Sequence, residues 1–477
     1  MDGLEAVELK LSEVLEDNKT FRFDPEYFKN EYLEIEENIK NKEFSKLIDL
    51  SNKITDFGAF SQNNFIEYKE KGNHYFIRNQ DMEDMFISDK KIYIDEDVYN
   101  KLSLKVGEYD LLLQRTGSIG KAGMVLKKDL PSSANQNLAQ VKLDLTKINP
   151  YYVNTFLNSN IGKNIFNRLA TGNVQPWLNL GQIENIKIPI FSSVFQLKIE
   201  DLIILSYKKQ ESSKFLYMQS EELLLKELDL LDFEPSKDQV SIKSFSESFG
   251  TSGRLDSEYY QSKYDDIIEK IKSYKGGYKS IREVLTDDIK SGTTPKTIVK
   301  EYLPNSNYFL RAEAFNNDLT LNYDSLYTMD DETFAKHKSI SVKKFDVLVS
   351  MTGTIGSVAL INRDIKAIIN QNIVKLSVNQ ELLNYNIFAL YLKTVGKELL
   401  TREQTGNVQP YVNIPNFSNL IIPIVNIDIQ TQIEDKIKES FKLKEESKHL
   451  LEVSKRAVEI AIEDGENVAM EFINAEV

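Results

Sequence analysis

The stretch RTGSIGKAG at 115–123 has the glycines and the lysine of a phosphate-binding loop. A P-loop needs G-x-x-x-x-G-K followed by Ser or Thr, because backbone N–H groups wrap a phosphate and the hydroxyl ligates magnesium. Here only two residues separate Gly117 from Gly120, and Ala122 stands where the hydroxyl should be. The stretch therefore does not predict an ATPase.

Other catalytic arrangements are also missing from the sequence. INPYYVNTF at 148–156 has one proline too few for the [DN]-P-P-[YF] loop of amino-methyltransferases, so we expect a helix start with Asn149 as cap and Pro150 in the first turn. The chain has no cysteine and three histidines, which excludes thiolate metal sites and makes a histidine zinc site a poor explanation. We find no Ser-His-Asp order, metal-ligand spacing or nuclease-like carboxylate–lysine cluster. The sequence predicts a non-catalytic chain without a metal site.

The chain repeats itself over roughly half its length, which is the pattern of a duplication. RTGSIGKAGMVL at 115–126 returns as MTGTIGSVALIN at 351–362, and TGNVQP at 171–176 returns letter for letter at 405–410. Three further matches keep the same order: NQN at 135–137 and 370–372, IPI at 188–190 and 422–424, and RFDPEYF at 22–28 with RLDSEYY at 254–260.

The repeat clarifies the opening stretch, because its glycines persist and its lysine does not. Lys121 becomes Ser357 in the second copy. Glycines at both places predict a tight turn that needs positive φ or a close backbone approach. The turn either lies near a ligand or has no ligand role.

Each half has the same order of elements. A front helix precedes strand-like runs, a helical stretch, the TGNVQP loop, a short Ile-Pro-Ile strand and a long helix. The helical stretches are at 150–168 and 384–401, and the long helices at about 195–231 and 428–463. The long helices carry apolar residues at helical spacing and would be roughly 50 Å long, so we expect them to pack as an antiparallel pair. Homodimerisation through the same apolar stripes is the alternative.

Bulk composition limits the class of protein. The 477 residues are 41% hydrophobic, which predicts several globular domains, and no apolar run has membrane-spanning length. The start lacks the pattern of a signal peptide, so the cytoplasm is the expected compartment. A net charge of −14 argues against a general coating of nucleic acid, but it does not exclude one binding face.

The order of these motifs resembles the specificity (S) subunits of Type I restriction–modification systems. A strand with an arginine (FIRNQDM at 76–82, FLRAEAF at 309–315) is followed by T-G-[ST]-I-G, N-Q-N, T-G-N-V-Q-P, Ile-Pro-Ile and a long helix. The resemblance covers nearly the whole chain. It implies an α+β fold with two tandem-duplicated mixed α/β target-recognition domains, separated by long helices that form an antiparallel coiled coil.

The resemblance implies a non-catalytic subunit whose halves each read one half of a bipartite double-stranded DNA target. The helices would dock two methyltransferase (M) subunits, and restriction (R) subunits would complete the complex, without a membrane. No cofactor is expected in this chain; S-adenosylmethionine, ATP and Mg are expected in the partner subunits, which methylate adenine and cleave DNA. The alternatives are a non-catalytic coiled-coil adaptor that binds proteins through its duplicated domains, and an enzyme's recognition part taken out of context.

The resemblance also implies a division of the chain. The front helix of each half, within 22–40 and 254–272, is an addition to the simplest pattern of the family. The expected segments are an N-terminal helical segment at 1–42, target-recognition domain 1 at 43–192, spacer helix 1 at 193–232, a linker and helical segment at 233–275, target-recognition domain 2 at 276–426, and spacer helix 2 with a C-terminal tail at 427–477.

The expected DNA contacts come from the repeated motifs. The turn hydroxyls and backbone N–H groups could bind phosphates, the Asn-Gln pairs could hydrogen-bond adenine, and the strand arginines could contact guanine or phosphate. For the amides the alternative is stabilisation of a turn, and for the arginines it is a local salt bridge. The amides of the TGNVQP loop could instead shape the loop, and Trp177, aligned with Tyr411, is interpreted as a packing residue. The full set is Arg78, Arg115, Thr116, Gly117, Ser118, Lys121, Asn135, Gln136, Asn173, Gln175, Arg311, Thr352, Gly353, Thr354, Asn370, Gln371, Asn407 and Gln409.

Overall fold

The chain forms a mixed α+β structure, 44% helix and 18% strand, which confirms the predicted fold class. The computed structural model describes residues 7–15, 22–57, 66–83, 85–89, 91–117, 119–172, 175–236, 242–298, 303, 306–406 and 408–477. Three residues expected at the DNA lie outside this set: Ser118, Asn173 and Asn407. The chain divides into two compact units: unit 1 is Met1–Lys209 with Glu445–Val477, and unit 2 is Gln210–Lys444.

The described strands of unit 1 form three sheets, ordered β2-β10-β7-β8-β5-β4, β6-β3-β9 and β1-β11. Pairing is antiparallel except between β5 and β8 and between β3 and β9. The strands are β1 (Phe44–Lys46), β2 (Ser51–Asp56), β3 (His74–Ile77), β4 (Met82–Glu83), β5 (Phe86–Ile87), β6 (Tyr93–Ile94), β7 (Leu111–Gln114), β8 (Ala122–Met124), β9 (Ser132–Ala134), β10 (Leu138–Leu143) and β11 (Lys187–Pro189).

Unit 2 contains the sheets β13-β19-β16-β17, β15-β14-β18 and β12-β20 within its described residues. Each corresponds to a sheet of unit 1, including the single parallel pair, β14 with β18, in the three-stranded sheet. The strands are β12 (Tyr278–Ser280), β13 (Lys290–Ser291), β14 (Asn307–Leu310), β15 (Tyr327–Met329), β16 (Val347–Ser350), β17 (Val358–Leu360), β18 (Ala367–Ile369), β19 (Ile373–Leu376) and β20 (Ile421–Pro423).

Helices flank these sheets, and two of them are much longer than the rest. None in the described part of the chain is both long and apolar enough to cross a membrane. The helices are α1 (Leu11–Leu15), α2 (Asn30–Lys40), α3 (Glu96–Lys101), α4 (Pro150–Asn158), α5 (Asn160–Leu169), α6 (Leu180–Glu184), α7 (Ser193–Glu227), α8 (Phe249–Ser252), α9 (Ser262–Lys272), α10 (Ile281–Val284), α11 (Asp331–Lys336), α12 (Tyr385–Lys393), α13 (Val395–Arg402), α14 (Ile414–Asn419), α15 (Ile427–Glu463) and α16 (Glu466–Glu476).

The long helices α7 and α15 contribute to the core of each unit. In unit 1, Ile199 and Leu202 of α7 are buried in the same cluster as Ala457 of α15 and the strand residues. In unit 2, Leu224 of α7 and Ile433 of α15 are buried with the strands of that unit. Burial of these stripes follows from the helical spacing of apolar residues in the sequence.

Buried serines pair the two long helices inside each unit. In unit 1 the Ser206 and Ser447 hydroxyls each donate to the other residue's carbonyl oxygen, at 2.9 and 2.8 Å. In unit 2 Ser213 and Ser440 make the same reciprocal bonds at 2.7 and 2.8 Å. Because these hydroxyls find carbonyl partners, burying them in an otherwise apolar seam leaves no donor unsatisfied.

The helical stretch after the sheets is broken in both units, where the sequence predicted single helices. Asn149 caps α4 as expected, its side chain accepting from the N–H groups of Tyr151 and Tyr152. Ser159 then ends α4 and caps α5 by accepting from the Gly162 N–H. A Cβ at Gly162 would lie 2.3 Å from the Phe156 carbonyl oxygen, so only glycine permits this sharp junction.

We expect Gly162→Ala to lower the free energy of unfolding of unit 1 by about 2 kcal/mol, because the added methyl group overpacks against backbone that cannot move aside. The matched change is Gly396→Ala in unit 2, where the nearest atom to an added Cβ is 3.2 Å away and the loss should stay under about 1 kcal/mol. Urea denaturation followed by circular dichroism measures both, and fluorescence of Trp177 reports unit 1. Equal losses in the two variants would contradict the steric explanation.

Candidate nucleic-acid interface

The repeated T-G-[ST]-I-G motif forms a turn between two paired strands in each unit. In unit 1 it joins β7 to β8, and in unit 2 it joins β16 to β17. Gly117 and Gly120 have φ of 80° and 94°, and Gly353 and Gly356 have φ of 75° and 76°. These values confirm the predicted positive-φ turn, which residues with a Cβ rarely adopt.

The turn of unit 1 is hydrogen-bonded to the other repeated motifs. Arg115 accepts from the Leu178 N–H at 2.8 Å, and its own N–H donates to the Asn137 carbonyl at 3.1 Å. The Gly117 N–H donates to the Pro176 carbonyl at 3.2 Å. The Asn79 side chain, next to Arg78, donates to the Thr116 carbonyl at 2.9 Å.

Unit 2 repeats most of these backbone contacts. Met351 accepts from the Val412 N–H at 2.9 Å, and its N–H donates to the Asn372 carbonyl at 2.7 Å. Thr352 pairs with Tyr411 as Thr116 pairs with Trp177. The structure therefore brings the described parts of the predicted motifs together, and we call each assembly a turn surface. It consists of residues 78–79, 115–117, 119–121, 135–137 and 175–177 in unit 1, and of 311, 351–356, 370–372 and 409–411 in unit 2.

Two of the predicted arginines in unit 1 are held by carboxylates. Arg78 donates from Nε and Nη2 to buried Asp81, at 2.9 and 2.7 Å. Its hydrogen bond to Asp81 raises the pKa of the guanidinium. Arg115 forms an ion pair with Asp56 and also donates to the Leu178 carbonyl at 3.2 Å. Both guanidiniums therefore stabilise the turn surface from inside.

The asparagines of the N-Q-N motifs stabilise turns, which was the alternative to adenine recognition. Asn135 Oδ1 accepts from the Asn137 N–H and Asn370 Oδ1 accepts from the Asn372 N–H, both at 3.2 Å. Asn370 is buried, and Gln136 is half-buried. Gln371 is exposed and accepts from Thr294.

The remaining predicted residues are more accessible. Arg311 is 40% exposed, lies over the ring of Tyr327 and lies 3.5 Å from a Glu313 oxygen. Lys121, Gly353, Thr354, Gln175 and Gln409 are exposed, whereas Thr116, Gly117 and Thr352 are half-buried. The two units therefore present different side chains around similar turns.

Trp177 and Tyr411 are surface residues, and their interpretation as packing residues is wrong. They are 43% and 47% exposed. One edge of each ring does pack, because a Cβ at Gly172 would lie 3.3 Å from Trp177 Cδ1, and one at Gly406 would lie 3.6 Å from Tyr411 Cδ1. The opposite part of each ring stays accessible beside the turn.

The sequence interpretation missed Lys163 and Lys397, which lie beside the two turns. A Cβ at Gly120 would be 4.0 Å from Lys163 Cγ, and one at Gly356 would be 2.8 Å from Lys397 Cγ. Both lysines are exposed. The signal was present, because Gly162-Lys163 and Gly396-Lys397 occupy equivalent positions nine residues before each T-G-N-V-Q-P loop.

The sequence also did not lead us to predict that the front segment of each half supports the turn surface. Arg22 donates to the carbonyls of Arg168 and Ala170, at 2.9 and 2.7 Å, just before the TGNVQP loop. Arg168 in turn forms an ion pair with Glu36 of α2. In unit 2 Arg402 donates to the Tyr259 carbonyl at 3.1 Å, as Arg168 does to Tyr27 in unit 1.

Glu36 has the most strongly shifted carboxylate of this support. Burial would raise its pKa, but the charges and hydrogen bonds of Arg168 and Lys187 outweigh burial and lower the pKa to about 2. Lys187 lies 3.0 Å away. Glu36 is thus ionised at pH values well above 2, and it ties α2 to α5 and β11.

Comparison with known families gives a match in the second half of the chain. Residues 277–453 match the family described as the Type I restriction modification DNA specificity domain. The match agrees with the resemblance predicted from the motifs, which is confirmed. The matched range includes the whole turn surface of unit 2.

Three solved structures of low overall similarity to this chain come from proteins of Type I restriction-modification systems. An S subunit of a Type I restriction-modification system from M. genitalium has 12% identity and a TM-score of 0.44, over 88% of this chain and 95% of that chain. An HsdS subunit from Thermoanaerobacter tengcongensis has 12% identity and a TM-score of 0.29, over 89% and 97%. A structure concerned with assembly of the type I R-M system has 13% identity and a TM-score of 0.31, over 88% and 97%.

We expect Glu36→Gln to lower the free energy of unfolding of unit 1 by about 2 kcal/mol at pH 7 and to have little effect near pH 2. The folded pKa lies below the ordinary value of 4.5. The charge therefore stabilises the fold above about pH 4.5, and this stabilisation is lost as the pH falls toward 2. Urea denaturation at several pH values, followed by Trp177 fluorescence, measures it.

The control for this prediction is Glu34→Gln, an exposed glutamate on the same helix. It should change the stability of unit 1 by less than about 0.5 kcal/mol at either pH. A loss from Glu36→Gln that persists at pH 2 would show that the effect comes from packing and not from the charge.

Proposed function

We propose that the whole chain is the DNA sequence-specificity subunit of a Type I restriction–modification complex, with one half of a bipartite target read by each half of the chain. One observation carries the proposal: each of the three sheets of unit 2 has a counterpart in unit 1, the turns are similar, and unit 2 contains most of the residues, 277–453, that match a DNA specificity domain. A pseudo-twofold protein suits a target of two half-sites, since half-site spacing then follows from the geometry of the protein.

In this proposal residues 43–192 and 276–426 are the two target-recognition domains. Lys121, Arg311 and the exposed hydroxyls and amides of the turn surfaces contact DNA. Arg78, Arg115 and Asn135 hold the surfaces in shape, and Asn370 has the same role in the second half. Differences between the surfaces, such as Lys121 against Ser357, make the two half-sites different.

The segments at 193–232 and 427–477 act as spacer helices in an antiparallel coiled coil that docks two methyltransferase subunits. Support comes from contacts inside each unit. In unit 1 Ser206 contacts Ser447 and Lys209 contacts Glu446, so residue numbers rise along one helix as they fall along the other. Ser213 with Ser440 and Gln219 with Lys436 do the same in unit 2. Residues 1–42 and 233–275 support the recognition domains.

The helices also hold the recognition domains directly. Gln196 of α7 accepts from the Asn149 N–H at 3.0 Å and donates to the Phe191 carbonyl at 2.9 Å. Gln430 of α15 does the same with Asn384 and the Val425 carbonyl, at 2.7 and 2.8 Å. Each domain therefore has a fixed anchor on its helix, as a spacer requires.

The chain supplies recognition and its partners supply chemistry. The methyltransferase subunits bind S-adenosylmethionine and methylate adenine, and the restriction subunits use ATP and Mg to cleave DNA, all in the cytoplasm. With a net charge of −14, the isolated chain binds DNA weakly, and the methyltransferase subunits neutralise most phosphates.

We expect the reconstituted complex to methylate a bipartite site, and we expect an exchange of residues 43–190 for the equivalent segment of another such subunit to change one half-site only. The reason is that each recognition domain contains its own core and turn surface. Methylome sequencing of cells with and without the chain measures both half-sites. The chain purified alone should neither methylate nor cut DNA.

Methylation of the same sites without this chain would contradict the proposal. A pull-down of proteins with no effect on methylation would favour the adaptor alternative. A change in both half-sites after the exchange would show that the halves do not read DNA independently.

We also expect one heptad inserted into each long helix to lengthen the spacer between half-sites by about three base pairs. Seven residues add roughly 10 Å of helix, and B-DNA advances about 3.4 Å per base pair. The insertions belong between Lys209 and Ser213 in α7 and between Ser440 and Glu446 in α15. The two paired serines of each helix then stay a multiple of seven residues apart. Methylome sequencing gives spacer and half-sites together. An unchanged spacer would mean that the partner subunits position the domains.

A further inference from the structure

The two halves share one stretch completely, although they are proposed to read different half-sites. TGNVQP is identical at 171–176 and 405–410. Residues that are the same in both halves cannot distinguish one half-site from the other, so they must perform a task common to both. The common task is to shape the loop, to contact the sugar–phosphate backbone, which is chemically the same everywhere, or to contact two identical partner subunits.

We propose that each turn surface carries a sequence-independent contact to the DNA backbone, made by a lysine and an aromatic residue on either side of the turn. The pairs are Lys163 with Trp177 in unit 1 and Lys397 with Tyr411 in unit 2. The inference rests on the proposed function and adds to it the residues that bind DNA without reading it.

The lysines are placed by the turn glycines. The stem of Lys397 passes so close to Gly356 that a Cβ there would lie 2.8 Å from Lys397 Cγ, and Lys163 lies 4.0 Å from the same position at Gly120. Both side chains are exposed, and within the described residues neither has an ion-pair or hydrogen-bond partner. In a chain with 73 acidic residues and 59 basic ones, two equivalent unpaired lysines beside equivalent turns suit phosphate.

The aromatic residues are placed by a rigid backbone. Trp177 exchanges two backbone hydrogen bonds with Thr171, at 2.9 and 3.0 Å, and Tyr411 exchanges two with Thr405, both at 2.9 Å. The edge of each ring covers a positive-φ glycine, Gly172 or Gly406. An exposed ring held this way loses little conformational freedom on binding, so its open face is suited to pack against deoxyribose.

The lysines favour DNA over a protein partner as the occupant. Thr116 and Thr352 pair through their backbones with Trp177 and Tyr411 and carry hydroxyls on the same turns as the lysines' neighbouring glycines. Hydroxyls with lysines are typical ligands of phosphate. In unit 2 the exposed Thr354 adds a further hydroxyl on the same turn. Docking of the methyltransferase on the same residues is the competing outcome that the experiment separates.

The first test measures methylation by the reconstituted complex as a function of DNA and salt concentration. Lys163→Ala and Lys397→Ala should each raise KM for DNA about fivefold at 0.15 M salt and reduce the slope of log KM against log salt by about 0.9. The methylated sequence should not change, and Lys163→Arg should retain most of the affinity. Lys101→Ala, an exposed lysine on α3 outside both turn surfaces, is the matched control and should have no effect.

The second test uses the single tryptophan of the chain, Trp177. The full chain labelled with 5-fluorotryptophan has one ¹⁹F resonance, which can be followed with unlabelled methyltransferase subunits and with duplexes that contain or lack the target. We expect a shift on addition of either duplex at low salt and none on addition of the methyltransferase alone.

In unit 2, Tyr411→Ala should raise KM for DNA severalfold, whereas Tyr278→Ala, at 45% exposure outside the turn surface, should not.

The outcomes are distinguishable. Normal KM and an unchanged salt slope in both lysine variants overturn the inference while the proposed function stands. A ¹⁹F shift caused by the methyltransferase alone also overturns it, in favour of protein docking. If the wild-type complex methylates no DNA, the proposed function fails, and the ¹⁹F titration of the chain with duplex still decides whether Trp177 contacts DNA.

Discussion

A backbone hydrogen bond in each unit ties the turn to the chain that follows the TGNVQP loop, alongside the other hydrogen bonds of the turn surface. It joins Leu178 to Arg115 in unit 1 and Val412 to Met351 in unit 2, both near 2.9 Å. These bonds connect the turn at the end of a sheet strand with the loop that follows α5 or α13. The turn, the loop and the helix behind the loop are therefore connected by hydrogen bonds.

The same hydrogen bonds explain how residues far from the turn can influence the shape of the turn surface. Arg22 donates to the backbone carbonyls of Arg168 and Ala170 at the end of α5, and Glu36 forms an ion pair with Arg168. A hydrogen bond from a charged donor to a carbonyl is stronger than one from a neutral donor. Such bonds suit the end of a helix, where the carbonyls lack partners within the helix. The front segment of each half thus supports a turn surface to which it does not belong.

Sequence patterns predicted the parts of this structure that depend on local chemistry. The positive-φ glycines of the turn, the Asn149 cap and the apolar stripes of α7 and α15 follow from backbone conformation, capping and helical periodicity. Contacts distant in sequence could not be predicted this way, because the ion pair of Arg115 with Asp56 requires knowledge of which side chains face each other. Trp177 was misjudged for the same reason, since nothing in its neighbours indicates an open ring face.

Comparing equivalent residues of the two halves distinguishes those that maintain the fold from those that differ between the turn surfaces. Asn135 and Asn370 cap the same turn, and the helix-anchoring glutamines Gln196 and Gln430 make the same bonds, so these positions carry the fold. Arg78 is locked onto a buried aspartate, whereas its counterpart Arg311 is 40% exposed and leans on Tyr327. Arg78 makes two charge-assisted hydrogen bonds to Asp81, whereas Arg311 donates to the neutral Tyr327 hydroxyl at 3.0 Å. The equivalent arginine is therefore held more firmly in the first half than in the second, which is how one duplicated scaffold comes to present two different surfaces.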